Sequence, residues 1–108
     1  MWQPTPLPVD TLVERMGALK QACEAQGREP IPTRMSFRVE LSNITGNNPP
    51  AGKRPTGHGT PAEVASDILR YRDIGLDAFQ INFHGNRHLD DLLASMDCFM
   101  SEVRPKVA

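Results

Sequence analysis

Residues 60–85, TPAEVASDILRYRDIGLDAFQINFHG, decide how the chain is read. Thr60 can cap a first helical turn, Pro61 suits the first helical position, and Glu63 lies three residues after the cap, which together make a capping box. Val64, Ile68 and Tyr71 recur at four- and three-residue spacing and form one apolar stripe. Gly75 closes the helix because glycine takes the left-handed conformation of a helix C-terminus, and Leu76 supplies the accompanying apolar contact. Ala78 to Phe83 then reads as a strand, with Phe79, Ile81 and Phe83 on one face and Gln80 and Asn82 on the other. Helix, glycine turn and strand form half of a parallel βαβ unit, so the fold class is α/β.

Working outward, the order is helix-strand-helix-strand-helix with two parallel strands. Pro4, Pro6 and Pro8 hold an extended lead, and Asp10 is the expected N-cap. Leu12, Met16, Leu19 and Cys23 form the buried side of a first helix running to about Gln26, where Gly27 stops it; Glu14, Arg15, Lys20 and Glu24 lie outside the stripe. Arg34 to Leu41 alternates, with Met35, Phe37, Val39 and Leu41 against Arg34, Ser36, Arg38 and Glu40. That polar row either faces a barrel interior near its mouth or faces water, with Arg38 and Glu40 a surface pair. The last helix is expected to bury Leu89, Leu92, Leu93, Met96, Met100 and Val103, to carry Asp90 and Asp91 at its positive end, and to stop at Pro105.

The T-P-x-E-V helix start, the Y-x-x-I-G-L-D turn, the short apolar strand and the closing F-x-x-E-V-R-P at Phe99 to Pro105 resemble the C-terminal end of luciferase-like oxidoreductases. Trp2-Gln3-Pro4 resembles the point just after the sixth strand of that family. The resemblance implies the C-terminal segment of a partial (β/α)8 TIM barrel, about three-eighths of the whole, in a single incomplete domain over residues 1–108. It implies FMN or coenzyme F420 as the family cofactor and a hydride-transfer or monooxygenase reaction. The main flavin-cradling strands would precede Trp2, so this chain alone is expected to be inactive and to bind no cofactor tightly.

Under that resemblance Asn43 to Gly59, rich in Gly, Pro and Asn and expected to lack regular structure, is the flexible seventh βα loop over the barrel mouth. Its Lys53 and Arg54, with Arg38 on the strand, are the candidate substrate contacts; His58 is the loop's third basic group. Arg87 and His84, in the loop after the last strand, are the candidate cofactor contacts, because phosphate is often held there. The competing reading of that loop is structural, with Asn86 or His88 capping the helix and His84 beside it.

A chain of 108 residues fits one domain, and 39% apolar residues with a net charge of -1 fit an ordinary globular class. No basic footprint points to nucleic acid. No apolar run reaches the roughly 20 residues of a membrane span, and MWQPTPLPVD lacks the basic start and apolar core of a signal peptide. A cytoplasmic location is the expectation, and one buried and one outward cysteine, Cys23 and Cys98, agree with it. The histidines and cysteines lack zinc-ligand spacing, and neither a G-x-S-x-G elbow nor a Walker pattern occurs. No residue pattern in the sequence points to a catalytic group.

Two further readings stand beside the oxidoreductase segment. One is a stand-alone structural protein that associates with itself through open strand edges, the partner otherwise being the missing N-terminal part of the barrel. The other is a small anion-binding module built on Lys53, Arg54 and Arg87.

Overall fold

Local signals place most of the elements. The computed structural model describes residues 2–4, 7–29, 32–41, 56–83 and 88–108. Helix α1 (Val9–Ala25) is followed by β1 (Arg34–Leu41), β2 (His58–Gly59), α2 (Pro61–Asp73), β3 (Ala78–Phe83) and α3 (Leu89–Cys98). A π-helical turn (Phe99–Val103) then leads into α4 (Arg104–Val107).

The strands form one parallel sheet in the order β2-β1-β3. Glu40 stands opposite His58 and Leu41 opposite Gly59. Two strands, both at edges, were the expectation; β1 is instead central, with β2 on one side and β3 on the other. The second neighbour comes from the stretch expected to lack regular structure. Gly57 and Gly59 adopt φ of 84° and 128°, conformations that suit glycine, and so bring His58 and Gly59 alongside β1. The alternation of β1 holds: Met35, Phe37, Val39 and Leu41 are all buried, while Arg34 and Arg38 are exposed. β3 is less enclosed, with Phe79, Ile81, Asn82 and Phe83 all half-buried, as a strand at the end of the sheet among the described residues allows.

The chain divides into two compact units, the first made of Met1–Ser36 and Arg70–Gln80. Within it, α1 starts after Pro8, which holds the N-cap position without a side-chain cap, so Asp10 lies inside the first turn. Proline's extended backbone leads the chain in and needs no capping side chain, and Leu12 N–H closes the first turn onto the Pro8 carbonyl at 2.9 Å. Leu12 and Cys23 are buried, and Met16 and Leu19 half-buried. Full burial of a side chain such as Leu12 stabilises by about 1.5–3 kcal/mol.

Two glycines end helices here in the same manner. Gly27 N–H donates to the Glu24 carbonyl and Arg28 N–H to that of Cys23; Gly75 N–H donates to Arg72 and Leu76 N–H to Tyr71. Each is a Schellman closure, and buried Leu76 and Tyr71 supply the apolar contact that goes with the second. Tyr71 Oη also donates to the Leu7 carbonyl at 2.7 Å, holding the proline-rich lead. Trp2 and Thr33 make an isolated parallel bridge, and Thr33 exchanges bonds with Asp77: Thr33 N–H to Asp77 Oδ2 at 2.7 Å, and Asp77 N–H to the Thr33 carbonyl at 3.0 Å.

The second unit comprises Phe37–Leu69 and Ile81–Ala108. α2 starts on the expected capping box, with Glu63 N–H donating to Thr60 Oγ1 at 3.3 Å and Thr60 N–H to Glu63 Oε1 at 3.2 Å. Val64 and Ile68 are buried on its stripe. On α3 and the turn after it, the buried residues are Ser95, Phe99 and Val103, at four-residue spacing, and Phe83 meets Phe99 edge to face with ring centroids 5.6 Å apart. Val103 is buried as expected, but the rest of the expected stripe is corrected: Leu89, Leu93, Met96 and Met100 are exposed and Leu92 half-buried. The apolar arc of this helix is wider than one interface, and periodicity does not say which part of it meets a neighbour.

Pro105 does not stop the helix; it sits in the first turn of α4. Proline cannot donate to the carbonyl four residues back and crowds it, and the π-helical turn re-registers the ladder immediately before that point. His88 occupies the N-cap of α3 without a side-chain cap bond, and Asp90 and Asp91 fall in the first turn as expected.

Candidate functional site

In parallel α/β folds ligands collect at the carboxyl ends of the strands, where loops rather than packed helices surround the backbone. β1 reaches that end at Glu40 and Leu41, beside β2. The Glu40 N–H donates to the Gly57 carbonyl at 2.9 Å, and this register brings the Glu40 Oε2 within 3.0 Å of His58 Nδ1. A carboxylate at Nδ1 fixes how an imidazole is turned. The side chains are 41% and 24% exposed, so the pair is open to water and its electrostatic attraction is screened.

Beneath the pair lies an enclosed support. Asp67 of α2 is 2% exposed and its Oδ2 accepts the Gly57 N–H at 2.8 Å. Gly57 is itself buried, and a Cβ there would collide with the Arg38 carbonyl oxygen and come within 3.3 Å of the Phe37 ring. Only glycine therefore lets the turn before His58 lie flat on β1. A carboxylate that anchors this turn places His58 against Glu40; the arrangement can hold or pass a proton at a fixed imidazole.

The candidate residues divide sharply. Arg38 is exposed on the polar row of β1. Its backbone carbonyl, not its guanidinium, is what abuts the Gly57 turn. Lys53, Arg54, His84 and Arg87 lie outside the described residues. Glu40 pairs with His58 rather than with Arg38. Sequence reasoning missed the Glu40–His58 pair because nothing local signals it; the register of β2 creates it. Asp67 did leave a signal, since it stands three residues after Val64 and four before Tyr71 and so falls within an apolar stripe.

A concavity of about 450 Å³ is lined by Val13, Met16, Leu19, Ile74, Lys20 and Asp77, with Thr33 and the two glycines 17 and 75. Thr33 and Asp77 precede β1 and β3, so this groove belongs to the amino ends of the strands, the end that serves stability in barrel enzymes. Among the described residues no group of three or more His, Cys, Asp or Glu side chains could hold a metal ion, and no helix is long and apolar enough to cross a membrane. Neither a family model nor a curated protein matches the chain.

Proposed function

We propose that this chain is the C-terminal segment of a luciferase-like flavin- or F420-dependent oxidoreductase, and that it supplies the closing wall and the last two loops of the barrel. The observation that supports this most is the Glu40–His58 pair at the carboxyl end of a central parallel strand, the end where barrel enzymes assemble their sites. The described residues do not fit an anionic FMN or F420 on their own. The groove at the strand amino ends carries Asp77, and the carboxyl end of β1 carries Glu40, both adverse to a phosphate tail. The ring and its chemistry are therefore assigned to the strands that would precede this segment. In this reading Arg87 and His84 reach the cofactor phosphate, and Arg38, Lys53 and Arg54 contribute positive charge toward substrate.

An antibody against the chain, applied to source cells, tests the reading. A protein of about 250 residues or more that is immunopurified with a flavin or deazaflavin absorption band is the expected result. A band matching the 12.0 kDa chain overturns it. So does a longer protein that binds neither FMN nor F420 on titration.

The alternative is a stand-alone, non-enzymatic protein that associates with itself through open strand edges. The half-buried residues of β3, which ends the sheet among the described residues, favour it. A 12.0 kDa band from the same immunoblot supports this alternative.

A further inference from the structure

Helix α3 and the turn after it hold more apolar surface than the fold uses. Leu89 is 67% exposed, Leu93 53%, Met96 42% and Met100 50%. Their spacing of four, three and four residues places them in one row along the helix, the seam pattern of paired helices. At 100° per residue along α3, Leu89, Leu93 and Met96 fall within about 60° of one another and are centred about a third of a turn from the buried Ser95. The seam is thus a second face. Four side chains exposed to this extent present on the order of 400 Å² of apolar surface, within the range of the largest patches on monomeric proteins, which are often functional.

Charge decides what fits. Between Leu89 and Val103 the sequence carries Asp90, Asp91, Asp97 and Glu102 and no basic residue; the first, Arg104, lies beyond the seam. Asp90 and Asp97 are exposed, and each follows a seam residue, Leu89 or Met96, along one flank. Flanking charges of this kind select partners in helix pairs. A second copy is disfavoured in both directions. With the seams in register, an antiparallel copy sets Asp90 beside Asp97, and a parallel copy brings together two acidic helices with no basic residue before Arg104 to offset them. A helix with an apolar stripe and Lys or Arg flanks meets complementary charge instead, and the two methionines give the seam the adaptable, polarisable surface used to receive such helices.

We propose that the Leu89–Leu93–Met96–Met100 face is a docking site for a basic amphipathic helix. The area is about half the roughly 800 Å² per partner of a standard interface, so the complex is weak and salt-sensitive. This inference does not depend on the oxidoreductase reading.

Two synthetic peptides of about 18 residues test it, with leucines at the same seam spacing and either lysine or glutamate flanks, titrated into the full 108-residue chain carrying ¹³C-methyl methionine. The expected result is binding of the lysine peptide at least tenfold tighter than the glutamate peptide, weakening with salt, with the Met96 and Met100 methyl signals shifting. The D90K/D97K variant, altered only at exposed positions and shown by circular dichroism to stay helical, is expected to reverse the preference. Binding of neither peptide overturns the proposal, as does a preference that D90K/D97K leaves unchanged or a shift confined to other methionines. A stable dimer of the chain alone, dissolved by Leu93→Asp or by D90K/D97K, would assign the face to a second copy and also overturn it.

Discussion

The buried carboxylate of Asp67 accepts the Gly57 N–H at 2.8 Å, joining α2 to the turn that delivers His58 to Glu40. Asp67→Ala leaves that buried donor without its acceptor, at a cost of about 1–3 kcal/mol. Urea unfolding should show a lower midpoint with an unchanged slope, and Asp67→Asn, which keeps a carbonyl acceptor, should fall between. An Asp67→Ala midpoint equal to that of the parent would show that the bond contributes nothing.

Gly57 and Gly27 both have positive φ, 84° and 66°, but only Gly57 lacks room for a side chain. Gly27→Ala should cost about 1–2 kcal/mol, the left-handed backbone alone. Gly57→Ala adds a collision with the Arg38 carbonyl and should cost clearly more. Paired thermal melts of the two variants decide it; equal losses would mean that β1 yields without resistance.

The capping box makes a narrower claim. Thr60→Ala and Glu63→Ala each remove one of two reciprocal bonds at the start of α2 and should each destabilise by about 1 kcal/mol. The double variant should cost less than the sum, because each single change already loosens the same turn. Strict additivity in a double-mutant cycle would argue against a cooperative box.

The thiol of Cys98 is pushed above its ordinary value of 9.0, first by burial and then by the negative charges of Glu102 and Asp97, with Lys106 acting in the opposite sense. Alkylation by iodoacetamide near pH 8 should therefore be slower than for a small-peptide thiol, since the thiolate is the reactive form. Glu102→Gln should speed it. Above pH 9.0 the unfolded chain ionises Cys98 before the folded chain does, so this group lowers stability as pH rises from there. A Cys98 rate equal to that of the free peptide would remove the basis for both expectations.

Not everything at the candidate site was equally legible. The alternation of β1 marks Arg38 and Glu40 as a polar row, and Arg38 does face water. The partner of Glu40 could not be read, because it depends on the two-residue register between β1 and β2. The loop composition pointed away from any strand there; two glycines with positive φ supply one.

By itself the sequence determined the C-terminal end of α1, both ends of α2, the capping box at Thr60, the closures at Gly27 and Gly75 and the buried face of β1, because each rests on bonds within a turn or on a two-residue alternation. Only the tertiary structure decided that β1 is central, that His58 meets Glu40, and that Ser95 and Phe99 are buried while Leu89, Leu93, Met96 and Met100 face outward. A helix whose apolar residues span more than one face can bury any part of that arc. The choice falls to the shape of the neighbouring surface, here the Phe83 ring against Phe99, which no local pattern contains.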